Sequence, residues 1–133
     1  MKLLSVTIPC YNSGAYMRRA VDSLLSGGED LEILIVDDGS KDDTGRIADE
    51  YERAYPEVVR VIHQENGGHG EAVNTGLKNA RGLYFKVVDS DDWVSEKALA
   101  EVMKVLRDLT QDGRSVDLMV ANYVYDKVGE KRR

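Results

Sequence analysis

Basic residues are in short supply in this chain. Eighteen Lys and Arg face 24 Asp and Glu among 133 residues, leaving a formal net charge of -6. A nucleic-acid binder needs a basic stripe to meet phosphates, so that class is set aside. Cysteine is scarcer still. Cys10 stands alone, which excludes an internal disulfide framework and a cysteine-based zinc site. A reducing compartment follows as the simpler expectation, with Cys10 as a small buried hydrophobe. Long apolar runs are missing too. The opening segment from Met1 has only a short one, cut off by Pro9 and Asn12, too short for a signal peptide or a membrane span. The expectation is a cytoplasmic chain without a transmembrane segment, compatible with peripheral contact at the inner face of a membrane. Internal repeats and low-complexity segments are absent.

What is present is a composition of 42% hydrophobic and 32% charged residues, the balance of one soluble globular domain. A domain of this length buries roughly two-thirds of the surface its unfolded chain exposes. An acidic protein can still hold a pyrophosphate if a cation or backbone N–H groups offset the repulsion, so the charge itself anticipates a metal.

Apolar runs and helical periods alternate along the chain. Leu3 to Ile8 reads as a strand ended by Pro9, and Ala15 to Leu25 as a helix closed by Gly27-Gly28. Leu31 to Val36 is a near-continuous aliphatic run, expected of a strand buried on both faces. Asp42 or Asp43 is placed to cap the next helix, with Ile47, Tyr51 and Tyr55 on one stripe and Pro56 as its stop. Val58 to Ile62 gives a third strand. A helix from about Glu71 to Ala80 is expected to turn Ala72, Val73, Gly76, Leu77 and Ala80 to one side. Tyr84 to Val88 forms a fourth strand, and a longer helix opening at Ser95 faces Leu99, Val102, Leu106 and Leu109 inward. Val116 to Tyr125 reads as a last strand, before a charged end.

This order, βαβαβαβαβ, implies an α/β fold with a mostly parallel sheet and helices on both faces. In such sheets ligands sit beyond the carboxyl ends of the strands, where the strand order reverses. Three polar clusters follow strands here: Pro9 to Asn12, Asp37 to Ser40, and Asp89 to Asp92.

Asp89-Ser90-Asp91-Asp92 carries the most chemistry. In an extended segment alternate residues point the same way, so Asp89 and Asp91 can address one point. Converging carboxylates repel unless a cation sits between them, and Mg2+ or Mn2+ suits an all-oxygen, partly open site. The competing reading is a solvated acidic turn before a helix. In Asp37-Asp38-Gly39-Ser40 a carboxylate could accept a nucleobase imide, or the segment could be an ordinary capped turn. Asn66-Gly67-Gly68-His69-Gly70 could offer N–H groups to an anion, but its spacing and its place after the third strand do not fit the dinucleotide fingerprint. His69 could touch a phosphate or be polar surface. Trp93 could stack on substrate or anchor its loop, and Lys86 reads as structural.

Taken together, Val6-Thr7-Ile8-Pro9-Cys10-Tyr11-Asn12, Ile35 to Ser40, Asn66 to Gly76 with Ala72 and Asn74, and Asp89 to Asp92 resemble glycosyltransferase family 2, the inverting enzymes of GT-A fold. The match spans residues 3 to about 110, in the family's order. It implies transfer of a sugar from a nucleoside-diphosphate sugar, often a UDP-sugar, to an acceptor hydroxyl on a glycan or lipid-linked acceptor. That chemistry serves polysaccharide, glycolipid or cell-envelope synthesis. By position, the resemblance has Pro9, Tyr11 and Asn12 line the nucleoside pocket and Asp38 meet the base, with Asp37 nearby. Asn66, Gly67, His69, Asn74 and Ser90 belong to the same donor surface. Asp89 then touches the ribose or sugar side, Asp91 ligates the metal, and Asp92 supports or joins that shell.

The family's general base lies well downstream of the DxD-type motif. None of Glu96, Glu101, Asp108, Asp112, Asp117 or Asp126 is a convincing candidate, so the expectation is a donor-binding domain, residues 1–133, cut from a longer enzyme. Three alternatives rank lower. A sugar-phosphate nucleotidyltransferase would carry a glycine-rich basic loop after the first strand. A receiver domain would place its acidic pair there. A catalytically silent donor-binding module would bind nucleotide without turnover.

Overall fold

The computed structural model describes residues 2–112. The last strand expected from the sequence, and Asp117 and Asp126, lie outside these residues. The elements run β1 (Leu4–Cys10), α1 (Met17–Leu25), β2 (Leu31–Asp38), α2 (Thr44–Ala54), β3 (Val59–Gln64), α3 (His69–Asn79), β4 (Tyr84–Val87) and α4 (Glu96–Asp112). The strands form one parallel sheet in the order β3-β2-β1-β4. The chain steps outward from β1 to β3, then crosses back to the far side of β1. Right-handed crossovers therefore put α1 and α2 on one face and α3 on the other. The strand order reverses between β1 and β4, which is where such a sheet opens a crevice.

The two faces are built differently. Leu4, Val6, Ile8 and Cys10 of β1 join Leu31, Ile33 and Ile35 of β2 in one apolar core. Met17, Ala20, Val21 and Leu24 of α1 close over it, with Leu99, Val102, Met103, Leu106 and Leu109 of α4. The alternate residues of β1, Ser5 and Thr7, are also fully buried. They meet α3 and the turn before β4 at very short range. A Cβ on Gly76 would lie 2.1 Å from Thr7 Oγ1, so α3 packs on β1 through a glycine.

That close approach explains one departure from the sequence reading. Ala72 and Gly76 face the sheet, whereas Leu77 is 55% exposed. The contact selects small residues, and the helix rotates its leucine to solvent. β1 also continues through Pro9 to Cys10, where Pro9 pairs with Val36. The pairing with β4 ends at Thr7, whose carbonyl accepts Val88 N–H. Pro9, two residues on, turns its missing N–H to the same side, where β4 has already departed. α1 starts at Met17 rather than Ala15, after a turn in which Tyr16 and Met17 N–H both bond to Ser13 O.

The amino end of the sheet is held by Glu32, 2% exposed. Its carboxylate accepts Ser5 Oγ–H at 2.8 Å, Arg81 N–H at 3.0 Å and Arg60 Nε–H at 2.8 Å. Burial opposes the charge, but these donors outweigh it and keep Glu32 below the usual carboxylate range.

Two glycines of α3 make a controlled comparison. Gly76→Ala drives a methyl into Thr7 and should cost about 1–3 kcal/mol. Gly70→Ala meets nothing within 4 Å and should be neutral or stabilise by about 0.4–1 kcal/mol. The urea midpoint should fall for Gly76→Ala and hold or rise for Gly70→Ala; a shared fall would refute the close-packing account of α3.

Candidate functional site

Every strand of the parallel sheet delivers its carboxyl end to one edge. β2 ends there in Asp37 and Asp38, 6% and 2% exposed. Asp38 is saturated by the loop after β3. Its Oδ1 accepts Gln64 Nε2–H and Gly67 N–H, both at 2.9 Å. Its Oδ2 accepts Gly68 N–H at 2.9 Å and Asn66 Nδ2–H at 3.2 Å. Burial pushes against ionisation, yet the Gln64, Gly67 and Gly68 donors prevail and depress the Asp38 pKa. Gly39 (φ 72) provides the turn: a Cβ there would lie 2.7 Å from Asn66 N.

Asp37 points into the structure. Its Oδ1 accepts Ser40 N–H at 3.0 Å, and its Oδ2 meets His63 Nδ1 at 2.9 Å. The other ring nitrogen of His63 meets Asp49 Oδ1 at 2.8 Å. Hydrogen bonds to Asp49 and then Asp37 raise the His63 pKa against the effect of burial. Ser40 Oγ in turn accepts Asn12 N–H, and Asn12 Oδ1 accepts Lys41 N–H. Asn12, held at φ 50, thus ties the loop after β1 to the loop after β2.

A second set of bonds joins the β1 and β4 loops. Ser13 N–H donates to Thr44 Oγ1 at 2.7 Å, and the Ser13 and Ser90 hydroxyls lie 2.8 Å apart. Thr44 is fixed by Asp42, whose carboxylate accepts Thr44 N–H and Gly14 N–H at 3.0 Å each. Asp42 therefore does the capping of α2, while Asp43 occupies the N-cap position without a side-chain capping bond, its carboxylate pairing with Arg46 at 3.2 Å.

Ser90 being turned inward, the acidic motif is not an extended segment. Asp92 N–H bonds to Asp89 O at 2.9 Å, closing a turn. The turn brings one carboxylate oxygen from each of Asp89, Asp91 and Asp92 within 4.8 Å of one another. Asp89 and Asp91 are exposed and Asp92 is buried. These hard oxygen donors, partly open to solvent, fit Mg2+ or Mn2+. His69 Nε2 lies 3.1 Å from Asp89 Oδ1, linking the start of α3 to the cluster.

Between these loops lies an open pocket of about 190 Å³, lined by Pro9, Cys10, Tyr11, Asp38, Asn66, Gly68, His69 and Ala72. Of the sequence candidates, Pro9, Tyr11, Asp38, Asn66 and His69 meet here. Asn12, Asp37 and Gly67 stand behind it as supports, and Ser90 is packed on Ser13. Asn74 is exposed on α3 and is not part of the pocket lining. Cys10 lines the pocket as a buried wall, its thiol pushed up to about 12 by burial and then by the Asp37 charge. Sequence reading missed Ser13, Thr44, Gln64 and His63 as site supports. Their only signal was position beside strand ends.

The model of the family described as Glycosyl transferase family 2 matches residues 5–132. Glycosyltransferase GlyG of Streptococcus pneumoniae is 37% identical over 129 residues, covering 95% of this chain and 41% of that protein. The glycosyltransferase EpsJ of Bacillus subtilis, described as uncharacterized, is 37% identical over 132 residues, 98% of this chain and 36% of its own length. Among solved structures, residues 1–349 of Staphylococcus aureus TarS superpose with a TM-score of 0.70 at 32% identity, covering 83% of this chain and 33% of that one. TarS has also been solved with UDP-GlcNAc and with UDP. The chain thus spans well under half the length of these relatives.

Two outcomes follow from the supports. Asp38→Asn should cost about 1–3 kcal/mol by replacing an acceptor shared among several donors, and should speed amide exchange at Gly67 and Gly68. Because the folded Asp38 pKa is depressed, its stabilisation is complete above the unfolded value of about 3.9. It is lost as pH falls through the folded value, so wild type and variant should converge in acid. His63 behaves oppositely. Its folded pKa lies above the ordinary 6.5, so its contribution is complete below 6.5 and lost as pH rises through the folded value. Denaturation of wild type and His63→Gln across pH should show the gap closing on the alkaline side; a pH-independent gap would contradict the paired-carboxylate reading.

Proposed function

The chain belongs to glycosyltransferase family 2, of GT-A fold, and we propose that it is the donor-binding part of a metal-dependent transferase. The reaction moves a sugar from a nucleoside-diphosphate sugar, a UDP-sugar, to an acceptor hydroxyl. The acceptor belongs to polysaccharide, glycolipid or cell-envelope glycan synthesis. The observation that carries this reading is the convergence of three strand-end clusters on one edge, with the pocket on one side of the Asp89–Asp92 turn. The UDP and UDP-GlcNAc complexes of TarS favour uridine as the base.

In this reading Pro9 and Tyr11 line the nucleoside pocket, and Asp38 faces the base while it anchors the Asn66–Gly68 loop. His69 spans from the pocket to Asp89, on the diphosphate side. Asp91 and Asp89 hold the cation, and Asp92 completes or supports that shell. The cation, when bound, supplies the positive charge that lets the nucleoside diphosphate leave. The turn that carries the carboxylates is braced by Ser13 and Ser90, so little reorganisation is needed as charge develops.

Attack on the anomeric carbon needs a base. Glu96, Glu101 and Asp108 occupy exposed positions on α4, and none lines the pocket. The base is proposed to come from an acceptor-binding part of the whole protein. No helix among the described residues is long and apolar enough to cross a membrane. A cytoplasmic location, with peripheral membrane contact, remains the reading for that protein.

Calorimetric titration of UDP with and without Mn2+ tests the donor site. Binding should require the metal. Asp91→Ala should weaken it by at least the roughly 10–100-fold that loss of an outer-shell partner costs a metal site. Metal-independent binding, or full affinity in the variant, would remove the cation from the reading; binding by GDP or dTDP alone would replace uridine.

A further inference from the structure

A second pocket, of about 280 Å³, opens beside the acidic turn. Asp91 is part of its wall, together with Tyr16, Arg18, Arg19 and Trp93. It shares no lining residue with the nucleoside pocket. Arg18 is occupied elsewhere: its guanidinium pairs with Glu50 at 3.2 Å and lies 5.9 Å from the Tyr51 ring centroid. Arg19 is different. Its guanidinium carbon sits 3.7 Å from the Trp93 ring centroid, and it meets no carboxylate at ion-pair distance among the described residues.

At 3.7 Å from the ring centroid the Arg19 guanidinium lies against the indole face, a contact that holds the cation while its N–H groups can still serve a ligand. Stacking also removes much of the rotamer freedom that a surface arginine would lose on binding. That is a preorganised fork, and its geometry matches two oxygens of a phosphate. The placement supports the same conclusion. Arg18 and Arg19 lie in the first turn of α1, which has no acidic residue and no side-chain cap. A helix N-terminus disfavours cations, so two arginines there add positive charge to an end that is already positive.

Resting on the transferase reading above, we propose that this pocket is an acceptor-side subsite for a phosphate group, with Arg19 as its anchor and Trp93 as the plate that orients it. The donor and the acceptor's phosphate then approach the carboxylate turn from separate pockets. Asp89 is reached through His69 from the nucleoside side, and Asp91 borders the Arg19 pocket. A phosphate on the acceptor would position the chain whose hydroxyl attacks, without itself reacting.

Trp93 is the sole tryptophan of the chain, so its fluorescence reports this pocket directly. Inorganic phosphate would be titrated into the protein in magnesium buffer, at ionic strength held constant with chloride. A saturable change in emission is expected. Arg19→Gln should weaken it by at least about tenfold, the lower bound for one charge-assisted hydrogen bond, and Arg19→Lys should fall between. UDP affinity in the presence of Mn2+ should be unchanged in both variants, which also certifies their folding. Vesicles of phosphatidylglycerol decide the source: a blue shift of Trp93 puts the phosphate on a lipid, and a response to soluble phosphate alone puts it on a polymer. Equal phosphate affinity in wild type and Arg19→Gln would overturn the proposal, as would displacement of phosphate by UDP. Failure of UDP, GDP and dTDP alike to bind while the Arg19-dependent response persists would instead sink the transferase reading and leave the phosphate pocket standing.

Discussion

The hydrogen bonds to Asp38 are what the upper edge of this molecule is organised around. A carboxylate 2% exposed, at the end of a strand buried on both faces, has no water to solvate it. It stays charged only because Gln64, Asn66, Gly67 and Gly68 aim donors at it. Those donors come from the last residue of β3 and the loop that follows it, so satisfying the charge also fixes that loop's path. The path sets where α3 begins, and therefore where His69 stands relative to Asp89. Asp37 does the same downward, through Ser40 and His63. Gly45 makes room for this, since a Cβ there would lie 2.8 Å from Asp37 Oδ2.

The carboxylates at this edge thus fall into two kinds. Asp37, Asp38 and Asp42 spend their oxygens on internal donors and act as anchors. Asp89 and Asp91 remain exposed, on a turn whose intervening serine is buried. In an acidic chain, concentrating further negative charge on one turn raises the cost of the empty state and thereby favours a cation there. The fold can hold that turn because its bracing is made by hydroxyls: the Ser13–Ser90 contact and the Thr44–Ser13 bond carry no charge of their own. Basic braces would have competed with any cation for the same oxygens.

Much of this was legible in the sequence, for a definite reason. Leu31 to Val36 is apolar at every position except Glu32, which is what a strand covered on both faces requires, and the stripe of Leu99, Val102, Leu106 and Leu109 fixes the inner face of α4. The acid clusters were legible because the alternation of elements places strand ends on one edge. Side-chain direction was harder to read. Leu77 looks like a core residue by period, yet the helix turns it outward because Thr7 admits only a glycine-sized neighbour. Asp89 and Asp91 converge through a turn, not through strand alternation, and nothing local announces that Ser90 has a partner at Ser13. Glu32 breaks an apolar run and reads as an error until Ser5, Arg60 and Arg81 are seen around it. Contacts between residues far apart in sequence leave no periodic trace, so buried polar networks are the part of a fold that pattern reading loses.

The turn has a link to each of two pockets. Asp91 is part of the wall of one, and Asp89 meets His69, which lines the other. Here the turn folds back through the Asp92 N–H to Asp89 O bond, and one oxygen from each carboxylate comes within 4.8 Å of the others. Tilting the turn would require breaking the buried contact of Ser90 with Ser13, which is itself tied through Thr44 to the start of α2. The helices on the α1 face are joined to the carboxylate turn through this hydroxyl chain, through Val94 N–H on Ser23 Oγ, and through Arg19 on Trp93. Rigid support from one side and open access on the other are what a site needs if charge is to develop at a fixed point without the protein first rearranging.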